Sequence, residues 1–460
     1  MGLKRSIHGV TRWACCLAVL LAGCLEGGVR VGTLAADGAT VGDRTDATGE
    51  APGRDAEDTV APCVPTGPLV ETGVAGDDLD PWHIAVTASD AIAFSANNWE
   101  IPYATTVAVW GFSPSAGAAA PLAASSPDEV LFDGRERAMI ALRTDHRQLV
   151  YRDLQREVTL TQLSQRELAV DLHGAPGRAV AHGYAAWRSC IYDEGVQHCR
   201  RSLLGGRSGG ALAGLWYHDN DGAELSAPIP WVDGRGVVWA EALAPLGATG
   251  ARIRSWTGGD PVTERVVDQP IGRVARVGDG FLLLDRGAWF ARREGPVEPV
   301  VAGECGDFDS DGAHAVLLCQ DDYPSADAPP DWDRFPRGAL GALWLFDGET
   351  ARRVPTTGEV LETPRIQGAL FAWVERDARS DGCTTFGAGR VMAAWVTAPD
   401  VPVRVDAIGA GCRCCDGLWP EVQLAVGDGL LAWNYGGVPA ATAGPARGTL
   451  GWARLTPPCP

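Results

Sequence analysis

Between Cys305 and Cys319 the chain reads Cys-Gly-Asp-Phe-Asp-Ser-Asp-Gly-Ala-His-Ala-Val-Leu-Leu-Cys. Three carboxylates, Asp307, Asp309 and Asp311, alternate with other residues before a glycine. Side chains at that spacing converge when a loop curls around a calcium ion, which takes about six to eight oxygens. An EF-hand is excluded, because its twelfth position falls on Leu318, where a bidentate glutamate is needed. The same residues equally suit an Asx-rich turn closed by a Cys305–Cys319 disulfide. On either reading the role is structural: one weak calcium site, or none.

Other chemistry is sparser. Gly206-Arg-Ser-Gly-Gly210 has nucleophile-elbow spacing around Ser208. The elbow needs a helix next, whereas Ala211-Leu-Ala-Gly-Leu-Trp216 reads as a strand. Eight histidines stand singly, with no metal spacing. Gly411-Cys-Arg-Cys-Cys-Asp416 has no neighbouring histidine, and thiols in an oxidising compartment form disulfides in preference to metal sites. No catalytic residue emerges, and no cofactor beyond that single calcium is implied.

The compartment follows from the N-terminus. Lys4, Arg5 and Arg12 precede a short apolar run ending in Leu21-Ala22-Gly23-Cys24. The run is too short to span a bilayer and has the charge layout of a secretory signal. Its end resembles the lipobox of bacterial lipoproteins. That resemblance implies cleavage before Cys24 and lipidation of the Cys24 thiol. Position 25 is Leu, not Asp, and by the same resemblance this favours the outer membrane, facing the periplasm or the cell surface. No later segment has the roughly 18 uninterrupted apolar residues of a span.

Composition agrees with export. Hydrophobic residues make up 46% and charged residues 21%, enough apolar content for a sizeable core. The formal charge of −19 becomes −22 once Lys4, Arg5 and Arg12 leave with the signal. Such a surface repels nucleic acid, which is excluded as a partner. Of 13 cysteines, ten remain after Cys15, Cys16 and Cys24 are set aside. Proximity pairs Cys190 with Cys199 and Cys305 with Cys319.

Three regions result: a signal at 1–23, an acidic tether at 24–80 and a folded domain at 81–460. The tether is rich in Gly, Ala, Thr, Asp and Pro, with too little apolar surface to offset the entropy of ordering.

From Trp82 onward, short apolar runs alternate with Gly, Asp, Pro and Ser. A turn followed by an apolar strand recurs at Ser89–Phe94, Asp233–Ala240, Gly278–Leu284, Gln367–Trp373 and Gly427–Trp433. A second strand carrying an aromatic follows, as at Val107–Trp110, Arg252–Trp256, Ala342–Phe346 and Met392–Trp395. Units near 50 residues long match four-stranded propeller blades. The expected fold is all-β: a propeller of seven or eight blades, with tryptophans packed between them.

The units resemble the β-propeller repeats of the TolB-like group, most closely at Ala342-Leu-Trp-Leu-Phe-Asp-Gly-Glu-Thr-Ala-Arg-Arg-Val354. Gly306–Gly312 also resembles the calcium loop of FG-GAP repeats, although Ala315 stands where that loop places its last Asp. The expected function is a lipid-anchored binding or scaffold module whose partner is an envelope protein or small ligand. The alternative is an envelope hydrolase or lyase with an axial site.

Overall fold

The computed structural model describes residues 70–75, 80–97, 107–122, 129–135, 138–143, 148–153, 157–162, 167–169, 179–181, 183–193, 196–207, 212–217, 228–243, 250–269, 271–285, 287–320, 338–358, 360–377, 385–386, 389–408, 411–412, 422–434 and 450–456. Cys24, Ser208 and the cluster Cys414–Cys415 lie outside them.

Apolar alternation and Gly/Asp turns leave short antiparallel strands as the local solution, and these assemble into eight sheets of four or five strands and one two-stranded ribbon. Blade 1 is β2 (Asp80–Ala88), β3 (Ala91–Asn97), β4 (Val107–Ser113) and β5 (Ala118–Pro121). Blade 2 is β6 (Glu129–Arg135), β7 (Ala138–Arg143), β8 (Gln148–Asp153) and β9 (Glu157–Gln162). Blade 3 pairs β10 (Glu167–Ala169) and β11 (Val180–Ala181) with β12 (Tyr184–Asp193), followed by β13 (Val196–Arg207) and β14 (Leu212–Tyr217). Blade 4 is β15 (Trp231–Asp233), β16 (Gly236–Ala242), β17 (Ala251–Trp256) and β18 (Val262–Val267). Blade 5 is β19 (Arg273–Val277), β20 (Gly280–Leu284), β21 (Ala288–Ala291) and β22 (Val297–Val301).

Blade 6 is β23 (Glu304–Ser310), β24 (Ala315–Gln320), β26 (Ala342–Phe346) and β27 (Ala351–Val354). Blade 7 is built from β28 (Val360–Gln367), β29 (Leu370–Arg376), β31 (Gly389–Trp395) and β32 (Ala398–Ile408), and β25 (Gly338–Leu340) pairs with β28. A two-stranded ribbon joins β30 (Thr385–Phe386) to β33 (Gly411–Cys412). Blade 8 is β34 (Leu424–Val426), β35 (Leu430–Asn434) and β36 (Leu450–Leu455), completed by β1 (Val70–Ala75).

The first strands touch in the order β34, β2, β6, β11, β15, β19, β23, β28 and back to β34, which closes the ring. The fold is an eight-bladed propeller. The expected turn-plus-strand units are the first hairpins of the blades, and the aromatic strands are the third strands.

Both faces of a blade are buried, and alternation along β29 shows how. Leu370, Ala372 and Val374 pack towards blade 8, while Phe371 and Trp373 pack towards blade 6. The second strands therefore read as unbroken apolar runs. Fourth strands such as β18 and β27 lie on the rim, with mostly exposed or half-buried residues.

The tether expectation ran to residue 80, but the structure already holds a strand at Val70–Ala75, pairing antiparallel with β36. Its sequence, Val-Glu-Thr-Gly-Val-Ala, has no strong strand signal of its own, so the partner imposes the conformation. Gly73 lies opposite Trp452, and a Cβ there would sit 2.6 Å from the indole. Gly451 lies under Trp433 in the same way, at 2.3 Å. Glycine thus supplies the floor on which each ring lies.

A clasp repeats in blades 4 and 7. Trp239 Nε1 donates to Glu241 (3.1 Å), and Arg254 approaches the same carboxylate at 3.5 Å. Trp373 Nε1 donates to Glu375 (3.0 Å), whose Oε2 also accepts from Thr357 Oγ1 (2.8 Å), Gly358 N (3.0 Å) and Arg390 Nε (3.0 Å). Burial opposes ionisation of Glu375, but the bonds from Trp373, Arg390 and Thr357 outweigh it and hold the carboxyl below the ordinary glutamate range.

Gly73→Val should destabilise the protein by about 2 kcal/mol through overpacking against Trp452. Denaturant unfolding measures this, with the exposed Thr72→Val as a control that should change little. A depressed carboxyl stabilises the fold above its unfolded value of 4.5, and that contribution is lost as pH falls through the lower folded value. Glu375→Gln should therefore be clearly less stable than the parent at neutral pH. The gap should close below pH 4.5, as followed by melting temperature against pH.

Candidate functional site: the axial polar layer

Charged side chains collect where the first strands end. Asp133, Asp233 and Asp309 lie at or near the ends of β6, β15 and β23, next to the turns into the second strands. Arg135, on blade 2, reaches blade 6, the position opposite it in a ring of eight. Its Nη1 lies 2.9 Å from Oδ2 and 3.3 Å from Oδ1 of Asp309. Asp309 is 2% exposed and also accepts the Ile366 amide of blade 7 at 2.9 Å. One carboxylate thus ties three blades together across the axis.

Its neighbours act similarly. Asp133 Oδ2 accepts the amides of Ala179 (2.9 Å) and Val180 (3.2 Å), which joins blade 2 to blade 3. Asp233 holds Arg276 of blade 5 at 2.8 Å, with both side chains nearly buried. Arg235 donates to the carbonyls of Gly278 (2.8 Å) and Gly312 (2.9 Å), linking blades 4, 5 and 6. Ser310 Oγ donates to the Arg276 carbonyl at 2.7 Å. A buried charge without a partner would be costly, and here each is matched by a fork or an amide. The rings of Trp231 and Phe308, on blades 4 and 6, stack at 4.9 Å.

The calcium candidates fall within this frame. Asp307 and Asp309 lie on β23, a strand and not a curled loop. Asp309 is engaged by Arg135 and Ile366. Asp311 sits in the turn, where its Oδ1 accepts the amides of Ala313 (2.8 Å) and His314 (2.7 Å). Asp307 bonds its neighbour's amide, Phe308 N, at 2.8 Å. Among the described residues no three His, Cys, Asp or Glu side chains are grouped to hold a metal ion. Cys305 and Cys319 face each other in the β23–β24 register and are disulfide-bonded, as the second reading of that stretch expected. Cys190 and Cys199 lie on the hairpin strands β12 and β13 near a register shift, with side chains outside the described set. The stretch after Ser208 is strand β14, as expected in place of a helix.

Two residues before Asp309 on the same strand, Asp307 is flanked electrostatically by Arg365 of blade 7 and Arg273 of blade 5. Burial pushes the Asp307 carboxyl up and the Arg273 guanidinium down. The bracing arginines and the Trp-x-Glu clasps went unnoticed in the sequence. One signal was present: the tripeptide Asp-Gly-Arg occurs at 133–135 and again at 233–235, in each case where a first strand leads into the second.

No known protein family matches the sequence, and no curated protein matches it. The chain has structural similarity to dipeptidyl peptidase 4 of Porphyromonas gingivalis, at 10% identity and a TM-score of 0.41, over 77% of this chain and 57% of that one. It is similar to acylaminoacyl peptidase of Pyrococcus horikoshii at 9% identity and a TM-score of 0.42, again over 77% and 57%. For a structure described as TolB from Agrobacterium tumefaciens the values are 13% and 0.26, over 56% and 87%. The chain spans a little over half the length of the two peptidases. The class defined by fold and site is an eight-bladed β-propeller whose inner strands are braced by arginine–aspartate pairs, one of them across the axis.

A double-mutant cycle tests the cross-axis brace. Arg135→Met alone should cost about 3 kcal/mol, because the buried Asp309 carboxylate loses its cross-axis guanidinium. Asp309→Asn keeps an acceptor for Ile366. The double variant should therefore be more stable than the sum of the single losses by at least about 1 kcal/mol in denaturant unfolding.

Proposed function

We propose that the chain is a lipid-anchored binding or scaffold protein of the bacterial envelope that presents its propeller to an envelope protein or small ligand. The observation that carries this reading is the commitment of the axial carboxylates. Asp133, Asp233 and Asp309 are held by arginines or backbone amides that join blades, so they serve rigidity and not proton transfer. A stiff ring suits a surface that must keep its shape while it binds.

The anchor belongs to the same proposal and rests on the lipobox-like Leu21-Ala22-Gly23-Cys24. Outer-membrane placement rests on Leu25. Among the described residues no helix is long and apolar enough to cross a membrane. Several acyl chains on Cys24 would hold the protein without one.

Two measurements test this. Cys24→Ala should move the protein from the membrane fraction to the soluble one and abolish fatty-acid labelling; retention in the membrane would remove the anchor. Crosslinking in the intact envelope, with capture through the C-terminus, should return one recurring protein at constant stoichiometry. Efficient labelling with no such protein would overturn the scaffold role.

A further inference from the structure

We propose that the inner channel between Arg273 and Arg365 is a binding site for a small oxyanion, a carboxylate or phosphate group.

Alternation along β23 fixes the direction. The register from Asp307 to Ser310 is regular, so Asp307 and Asp309 share a face. Asp309 meets Arg135 from the opposite blade, so that face looks onto the axis. Asp307 therefore lies on the same face, two residues before Asp309 on the strand. Arg273 and Arg365 approach it from the first strands of the two neighbouring blades.

These arginines differ from the bracing ones. Arg135 and Arg276 each grip a carboxylate. Arg273 uses Nη2 on the Gly306 carbonyl (2.7 Å) and lies over the Phe308 ring, but its Nη1 is buried with no hydrogen-bond partner. Arg365 donates to its neighbour's carbonyl, Pro364 O, at 2.8 Å. Asp307 is turned back onto its own strand by the Phe308 amide. A buried guanidinium nitrogen without an acceptor is costly, and a planar oxyanion is the group that matches its fork. The axial layer collects Arg135, Arg235, Arg273, Arg276 and Arg365 against Asp133, Asp233, Asp307 and Asp309, inside a chain of net charge −19. A cationic interior within an acidic shell concentrates field lines on the axis, where an anion would be selected. The inference is independent of the lipid anchor and of any protein partner.

The test uses the purified chain with its disulfides formed. Acetate and inorganic phosphate are titrated separately at constant ionic strength, with chloride as control, and followed by calorimetry and melting temperature. Saturable binding of either probe is expected, and the tighter one identifies the chemical source. Arg273→Gln and Arg365→Gln should each weaken binding about tenfold, the loss of one charge-assisted hydrogen bond. Arg454→Gln, at the Asp90 pair of blades 8 and 1, should leave it unchanged. Arg273→Lys keeps the charge but not the fork and should fall between, which serves if the glutamine variant fails to fold. No binding beyond chloride, or equal binding in cooperatively melting Arg273 and Arg365 variants, would overturn the site.

Discussion

Every blade is a sheet with two apolar faces, and only a closed ring covers both. The buried clusters follow this directly: three lie between blades 1 and 2, 2 and 3, and 3 and 4, one runs through blades 4, 5 and 6, and three lie between 6 and 7, 7 and 8, and 8 and 1. No cluster belongs to one blade. The core is a cycle of interfaces, so the stability of each blade depends on its neighbours. Closure rests on β1, which comes from the far end of the chain to complete blade 8.

Closure leaves a problem at the axis. Eight inner strands converge there with backbone amides and carbonyls pointing inward, and unpaired polar groups are costly. The chain meets this with short acids and long arginines. Asp133, Asp233 and Asp309 satisfy amides and cations from the next blade, and Arg135 and Arg235 span further. Arginine is suited to this because its fork and long stem can bridge two blades while staying charged. Where that bracing stops, at Arg273 and Arg365, the same chemistry becomes available to a ligand.

Much of this was legible in the residues. The turn-plus-strand units mapped onto second strands, since these are buried on both faces and read as apolar runs such as Leu370–Val374. The aromatic strands mapped onto third strands for a similar reason. First and fourth strands were harder to see. β15 is only three residues and β11 only two, while β18 and β27 carry polar rim residues. The disulfide between Cys305 and Cys319 followed from proximity. The acidic alternation between them suited either a weak calcium site or an Asx-rich turn; in the folded chain Asp309 faces Arg135 from 174 residues away, a relation that spacing does not carry.

By itself the sequence determined an all-β chain of repeated four-stranded units, its acidic surface and its expectation of export, because these depend on composition and on patterns within about ten residues. Tertiary structure alone decided that there are eight blades, that Val70–Ala75 is a closing strand, and that Asp309 is a brace. Each of those outcomes depends on which distant segment supplies the hydrogen-bonding partner, and ring closure sets that.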